Sequence, residues 1–229
     1  MKSVVLLSGG LDSATNLYKA HQETEVLLAL TFDYGQKAAA KEIQAAHRLC
    51  QSIGIPHKVI AIPWVREFGK SSLIDPKRAI PQGDDVLIDN YQQSLKTAAA
   101  VWVPNRNGIM LNIGAGFAEA LLADFVIPGF NIEEAQTFPD NTAAFLDAMT
   151  QSLSFSTSNQ VRAHCYTADL NKTKMVALAK SLVLPFELLW PCYFDQEYWC
   201  GICESCLRFK RALESNSLMS HYQNQFMNH

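Results

Sequence analysis

The sequence predicts an α/β fold, a doubly wound and mostly parallel sheet with helices on both faces, carrying a small cysteine-rich C-terminal subdomain. Three observations predict it. Short apolar runs alternate with segments of helical period, the first run ends in a glycine turn, and four cysteines crowd residues 192–206. "SVVLL" (3–7) and "EVLLALTFD" (25–33) read as buried strands, and "DSATNLYKAHQ" (12–22) between them as a helix turning Leu17 and Ala20 inward. Over 37–53, Ala39, Ala40, Ile43, Ala46, Leu49, Cys50 and Ile53 recur at helical spacing, which puts Cys50 in the core; "HKVIAI" (57–62) is a third strand. Residues 63–102 are rich in turn formers and lack steady periodicity, so a long loop with short helical pieces is expected there, of the kind that covers active sites. The alternation resumes with a helix over about 107–122, whose "GAG" (114–116) suits close helix packing. A strand at "DFVIPG" (124–129), a helix near 140–152, a strand around "VRAHC" (161–165) and a helix over 172–182 complete the pattern. An α/β domain over 1–185 and a cysteine-rich, helical segment over 186–229 are expected, the last fifteen or so residues ("QNQFMNH" at the end) loosely attached.

With 229 residues, 48% of them hydrophobic, the chain can fill one core of generous size. A formal charge of -3 argues against general nucleic-acid binding, which wants a basic face. No apolar run is long enough to cross a membrane, and the first is too short for a signal peptide and ends in a turn. Four of six cysteines lie close together, which points to metal binding in a reducing compartment and to a cytoplasmic protein.

"LLSGGLDSA" (6–14) is the first chemical signal. Small residues between a strand and a helix let backbone N–H groups approach an anion, and the helix dipole adds positive potential. Ser8 and Ser13 add hydroxyls, while Asp12 is placed to cap the helix, orient the loop or help hold Mg²⁺. The loop has no lysine, so it is not the G-x-x-x-x-G-K-[ST] type. A tight turn with Asp12 as helix cap is the plainer alternative.

The second signal is Cys192, Cys200, Cys203 and Cys206, a C-x₇-C-x₂-C-x₂-C array suited to one tetrahedral, structural Zn²⁺. Arg208, Lys210 and Arg211 follow and are expected to offset the thiolate charge. An iron–sulfur cluster is the rival, although "LRFK" (207–210) lacks the fourth ferredoxin cysteine and its proline.

"SGGLDS" resembles the loop of the N-type ATP pyrophosphatases, which cleave ATP between the α and β phosphates. Together with "TFDYGQ" (31–36), "VPNRN" (103–107), "LNKTKMVALA" (170–179) and the cysteine array, it is similar to the 7-cyano-7-deazaguanine synthase family of queuosine biosynthesis over nearly the whole chain. The resemblance implies an adenine-nucleotide alpha-hydrolase-like fold and an ATP-dependent carbon–nitrogen ligase. Such an enzyme turns 7-carboxy-7-deazaguanine and ammonia into a nitrile through adenylated intermediates, with release of pyrophosphate. It implies ATP contacts along Leu7, Ser8, Gly9, Gly10, Leu11, Asp12, Ser13, Ala14, Thr15, Asn16 and Leu17. Thr31 and Phe32 would lie near the adenine, although Phe32 also suits ordinary core. Asp12, Ser13, Lys172 and Arg106 would be catalytic, with Mg²⁺ accompanying ATP. A homodimer acting on small molecules, without stable nucleic acid or membrane partners, is implied as well. The family pattern departs at Asn105, which replaces the glycine of V-P-G-R-N, and at Asn141 and Thr142, which stand where cysteine and arginine are expected although Phe138, Pro139 and Asp140 before them fit. A related pyrophosphatase acting on another carboxylate or on tRNA, or a non-catalytic ATP-binding zinc module, are the alternatives.

Overall fold

Five parallel strands form one sheet in the order β3-β2-β1-β4-β5, in a computed structural model that describes residues 1–227. The strands are β1 (Lys2–Leu6), β2 (Glu25–Asp33), β3 (His57–Ala61), β4 (Phe125–Ile127) and β5 (Arg162–Ala163). The helices are α1 (Leu11–Glu23), α2 (Ala39–Ile53), α3 (Tyr91–Val101), α4 (Arg106–Ala120), α5 (Ile132–Ala135), α6 (Ala143–Ser156), α7 (Lys172–Ser181), α8 (Glu204–Ser215) and α9 (Met219–Tyr222). Strand alternation sorts the core into two layers. Val5 and Leu7 join Leu17, Leu49 and Met175 on one face, while Val4 and Leu6 join Leu111, Val126 and Leu153 on the other. This is the doubly wound arrangement expected, and the order reverses between β1 and β4. A crevice opens at the carboxyl ends of those two strands.

Glycines set the crevice. Gly9 sits at φ +81°, and a Cβ there would lie 2.8 Å from the Ala45 Cβ and the Glu42 carbonyl. Gly129, just past β4, lets that chain pass against α1, since a Cβ would come within 2.5 Å of the Ser13 nitrogen. Gly114 packs α4 onto Leu6 and Val126, as its sequence setting suggests.

Two expectations need correction. Within 63–102 the chain forms a full helix, α3, opened by the Asn90 side chain accepting from the Gln93 N–H. Its buried positions are Ser94, Thr97, Ala98 and Val101, which keep helical spacing but are small or polar, so no hydrophobic period shows. The C-terminal residues are also anchored. Phe226 is buried edge-on against Trp199, with ring centroids 5.0 Å apart, and Trp199 exchanges backbone hydrogen bonds with Gln225 and Met227. The final "NH" of that tail, 228–229, lies outside the described residues. The cysteine segment shares the α1 layer: Cys192, Trp199, Cys206, Phe209 and Leu213 continue one apolar cluster with Leu17 and Met175. Among the described residues no helix is long and apolar enough to cross a membrane.

Candidate active site

A cavity of about 240 Å³ occupies the crevice. Leu7, Ser8, Gly10, Leu11, Asp12 and Ser13 line it from the glycine turn and the start of α1. Ser8 and Ser13 hydroxyls lie 3.0 Å apart, and the Ser8 N–H donates to Ser13 Oγ at 3.1 Å, so the turn is braced from within. Ala14 N–H donates to Gly10 O at 3.0 Å, whereas the N–H groups of Leu11, Asp12 and Ser13 precede the first intrahelical bond. Such a terminus suits an anion.

The rest of the expected nucleotide stretch supports the turn from behind. Ala14 and Leu17 are core, Thr15 donates to Leu11 O, and Asn16 ties Asp12 O to Thr167 and Tyr166. Gly9 does not line the cavity; its carbonyl accepts from Trp190 N–H at 2.9 Å, which fastens the turn to the approach of the cysteine segment. Of the β2 pair only Phe32 lines the cavity. The period of two turns Thr31 to the opposite face, where its hydroxyl meets Leu7 O at 2.6 Å and His57 Nε2 at 2.7 Å.

Asp12 is not a helix cap; Gly10 holds that position. Its carboxylate instead meets Lys172 Nζ, 2.7 Å from Oδ1, and Asn131 Nδ2, 3.0 Å from Oδ2. Lys172, the first residue of α7, is buried and also reaches Glu134 Oε1 at 3.1 Å. Two carboxylates therefore face one ammonium. Burial, aided by the charge on Glu134, pushes Asp12 up to about 6 against the pull of Lys172. Burial also acts upward on Glu134, but Lys172 outweighs it and leaves that carboxyl below its ordinary value. Lys172 itself is held more firmly protonated than usual, because Asp12 and Glu134 overcome its desolvation.

Arg106, the first residue of α4, lines the opposite wall. Its Nε donates to Asn107 Oδ1 and its Nη1 to Tyr34 Oη, both at 3.3 Å. Desolvation works against its charge, yet Tyr34 and Asp140 keep it firmly protonated. Asn141 lines the cavity, whereas Thr142 caps α6 by accepting from Phe145 N–H at 3.1 Å and is no part of the wall. Glu42 lines the cavity too and accepts from Gln36 Nε2 at 2.8 Å. Burial pushes its carboxyl from an ordinary 4.5 up to about 7. Between those two values the native state keeps a proton that the unfolded chain has released, so stability falls as pH rises through that window. Glu42→Gln is expected to match the parent at pH 4 and exceed it by up to ~2 kcal/mol at pH 8 in urea unfolding.

The four cysteines converge as their spacing suggests. Their sulfurs all lie within 4.8 Å of one another, with Cys200 and Cys206 3.9 Å apart. A tetrahedral Zn–S₄ edge is roughly 3.8 Å, so the set could close on one ion with little movement. Backbone N–H groups of Phe194 and Cys200 point at Cys192 Sγ, and those of Ile202 and Cys203 at Cys200 Sγ, over 3.3–3.5 Å. Such donors favour thiolates. Hydrogen bonding to Cys192, Cys203 and Cys206 holds Cys200 below the usual thiol range.

The cations after the array serve other partners than the sulfurs. Arg208 pairs with Glu204 and Glu133, Arg211 with Glu133 and Asp89, and Lys210 lies over the Phe226 ring. Carboxylates at helical reach and in "NIEEA" outcompete a delocalised thiolate cluster for those donors. Glu133 also accepts from the Lys172 N–H at 2.8 Å, so α8 is coupled to the start of α7. Sequence reasoning passed over Asn131, Glu133 and Glu134. Acidic residues directly beyond a strand's carboxyl end were the available signal.

Comparison with known proteins matches the sequence to a family. The sequence profile described as "Queuosine biosynthesis protein QueC" matches residues 2–217. The 7-cyano-7-deazaguanine synthase of Bdellovibrio bacteriovorus is 57% identical over 218 residues, covering 95% of this chain and 94% of the relative. The protein of the same name from Desulforamulus reducens is 50% identical, with coverage of 95% and 96%. NMN synthetase from Francisella tularensis superposes with a TM-score of 0.48 at 17% identity, over 97% of this chain and 85% of that one, too distant to bear on chemistry.

Proposed function

We propose, because the chain belongs to the queuosine biosynthesis QueC family, that it converts 7-carboxy-7-deazaguanine, ammonia and ATP into 7-cyano-7-deazaguanine. The observation that carries this reading is one cavity lined by the glycine turn, the Lys172–Asp12–Glu134 group and Arg106. A substrate carboxylate oxygen attacks the α-phosphorus of ATP, the α–β bridging bond breaks, and pyrophosphate leaves. Ammonia attacks the acyl carbon, AMP departs with the C–O electron pair, and a proton is lost to give the amide. The amide oxygen then attacks a second ATP in the same way. Cleavage of its C–O bond, with the electron pair leaving on AMP and both N–H protons lost from the amide nitrogen, yields the nitrile.

The residues present suit this sequence. N–H groups at the start of α1, with Ser8 and Ser13, receive the phosphates that leave. Lys172 balances the negative charge growing on pyrophosphate. Asp12 and Glu134 outnumber it by one charge, a donor set that fits Mg²⁺ held jointly with phosphate oxygens. When bound, Mg²⁺ neutralises the departing pyrophosphate. Arg106 meets the substrate carboxylate with its planar guanidinium. Cys192, Cys200, Cys203 and Cys206 hold structural zinc with no open position. A homodimer in the reducing cytoplasm, without nucleic-acid partners, completes the reading; sedimentation checks the dimer.

Incubation with ATP, Mg²⁺, ammonium and 7-carboxy-7-deazaguanine should give AMP, pyrophosphate and the nitrile by mass spectrometry. ADP and phosphate as the substrate-dependent products would sink the reading. Arg106→Lys keeps the charge but loses the fork, and is expected to raise KM for the carboxylate substrate about tenfold while ATP KM moves less than about twofold. An equal loss for both ligands would assign Arg106 to the nucleotide or the fold.

A further inference from the structure

Beyond the carboxylate clamp, the cavity wall carries an unmet charge. Asp140 lies in the turn before α6, lines the cavity, and is only partly exposed. Asn141 Nδ2 donates to its Oδ1 at 3.2 Å, which fixes the carboxylate and leaves Oδ2 to other partners. Arg106 and Asp140 feel each other's charge, yet Arg106 forms no salt bridge among the described residues, and its hydrogen bonds use Nε and Nη1 rather than Nη2. Opposite charges held apart in a half-buried wall are costly unless a ligand spans them. Beside them Trp102 and Phe138 present nearly parallel rings, 10° apart in plane with centroids 6.1 Å apart, and both line the cavity. A flat aromatic ligand fits against such a surface.

Resting on the reading above, we infer that Asp140 and Arg106 together recognise the guanine-type edge of the substrate: Asp140 accepts from N1–H and the 2-amino group, and Arg106 spans O6 and a carboxylate oxygen at position 7. On guanine an arginine fork spans O6 and N7. Replacing N7 by a carbon that bears a carboxylate offers the same fork an oxygen on the same side. The donors N1–H and 2-NH₂ follow O6 along the ring edge, and in the wall Asn107 links the two residues, accepting from Arg106 Nε at 3.3 Å and donating to the Asp140 carbonyl at 3.5 Å. Glu42, the other carboxyl that Arg106 senses, is already engaged by Gln36 and holds a proton up to about pH 7, so it is the poorer acceptor. Asn141, standing where the family pattern has cysteine, gains a role here as the residue that orients Asp140.

The test compares 7-carboxy-7-deazaguanine with its counterpart lacking the 2-amino group, in wild-type protein and in Asp140→Asn, by pyrophosphate release. Wild type is expected to favour the 2-amino substrate by at least roughly tenfold in kcat/KM, because the analogue leaves Asp140 with an unmet acceptor. Asp140→Asn is expected to raise KM for the 2-amino substrate about tenfold, leave ATP KM within about twofold, and bring the preference close to one. A wild type without preference overturns the inference whether or not the variant folds, and so does a variant that keeps the full preference. Wild type that binds ATP but converts neither compound overturns the nitrile-synthase reading instead, and takes the inference with it.

Discussion

Lys172→Ala is expected to lower kcat by about a thousandfold and to destabilise the protein by roughly 3–5 kcal/mol. The two losses have one origin. Lys172 is buried between Asp12 and Glu134, so alanine leaves two carboxylates facing each other without the ammonium that pairs them. They respond by taking up a proton. The variant should therefore regain stability as pH falls, and should do so above the value of about 6 at which Asp12 titrates in the parent, because the pull of Lys172 that lowers it is gone. Adding Asp12→Asn should restore much of the stability at neutral pH and none of the turnover. That contrast separates the electrostatic from the catalytic part. Lys172→Ala with normal pyrophosphate release would remove the residue from the chemistry and leave it a structural ion.

The first two strands and the second helix were legible because burial dictates them: short apolar runs make the strands at 2–6 and 25–33, and a clean helical period makes 39–53. The helix Tyr91–Val101 was not, since its inward positions are Ser94, Thr97, Ala98 and Val101, and Thr97 spends its hydroxyl on Glu204, 107 residues away. The anchored C-terminal residues were missed for a similar reason. A single phenylalanine, Phe226, meets Trp199 across the fold, and no local pattern announces a pair so distant. At the site, the glycine turn and the four cysteines were readable from residue type and spacing, whereas Lys172 came only from the family resemblance. The acids beside Lys172 were not readable, because Glu133 and Glu134 look like ordinary surface acids until the chain beyond β4 brings Glu134 to the crevice and Glu133 to the Lys172 N–H. Thr31 shows the limit of proximity along a strand: one residue from Phe32, it faces the other layer.

Cys203→Ser is expected to lower Tm by roughly 10–20 °C, to reduce bound metal to well below one per chain, and to abolish most turnover. A closed four-sulfur site contributes its binding free energy to folding, so losing one ligand withdraws several kcal/mol from the segment that carries Trp199 and α8. Activity follows through two contacts rather than through any chemistry at the metal. Trp190, two residues before Cys192, donates to the Gly9 carbonyl at 2.9 Å and so holds the phosphate turn. From α8, Arg208 reaches Glu133 at 2.9 Å, and Glu133 accepts the Lys172 N–H at 2.8 Å. Loosening the cysteine segment releases the glycine turn and the start of α7 at once. Chelation of the wild-type protein should reproduce the effect, and added zinc should return stability and turnover in parallel. A variant that loses its metal but keeps the parent Tm would show that the apolar contacts of Trp199, Phe209 and Leu213 suffice. Full stability loss with unchanged turnover would cut the link from the cysteines to Gly9 and Lys172.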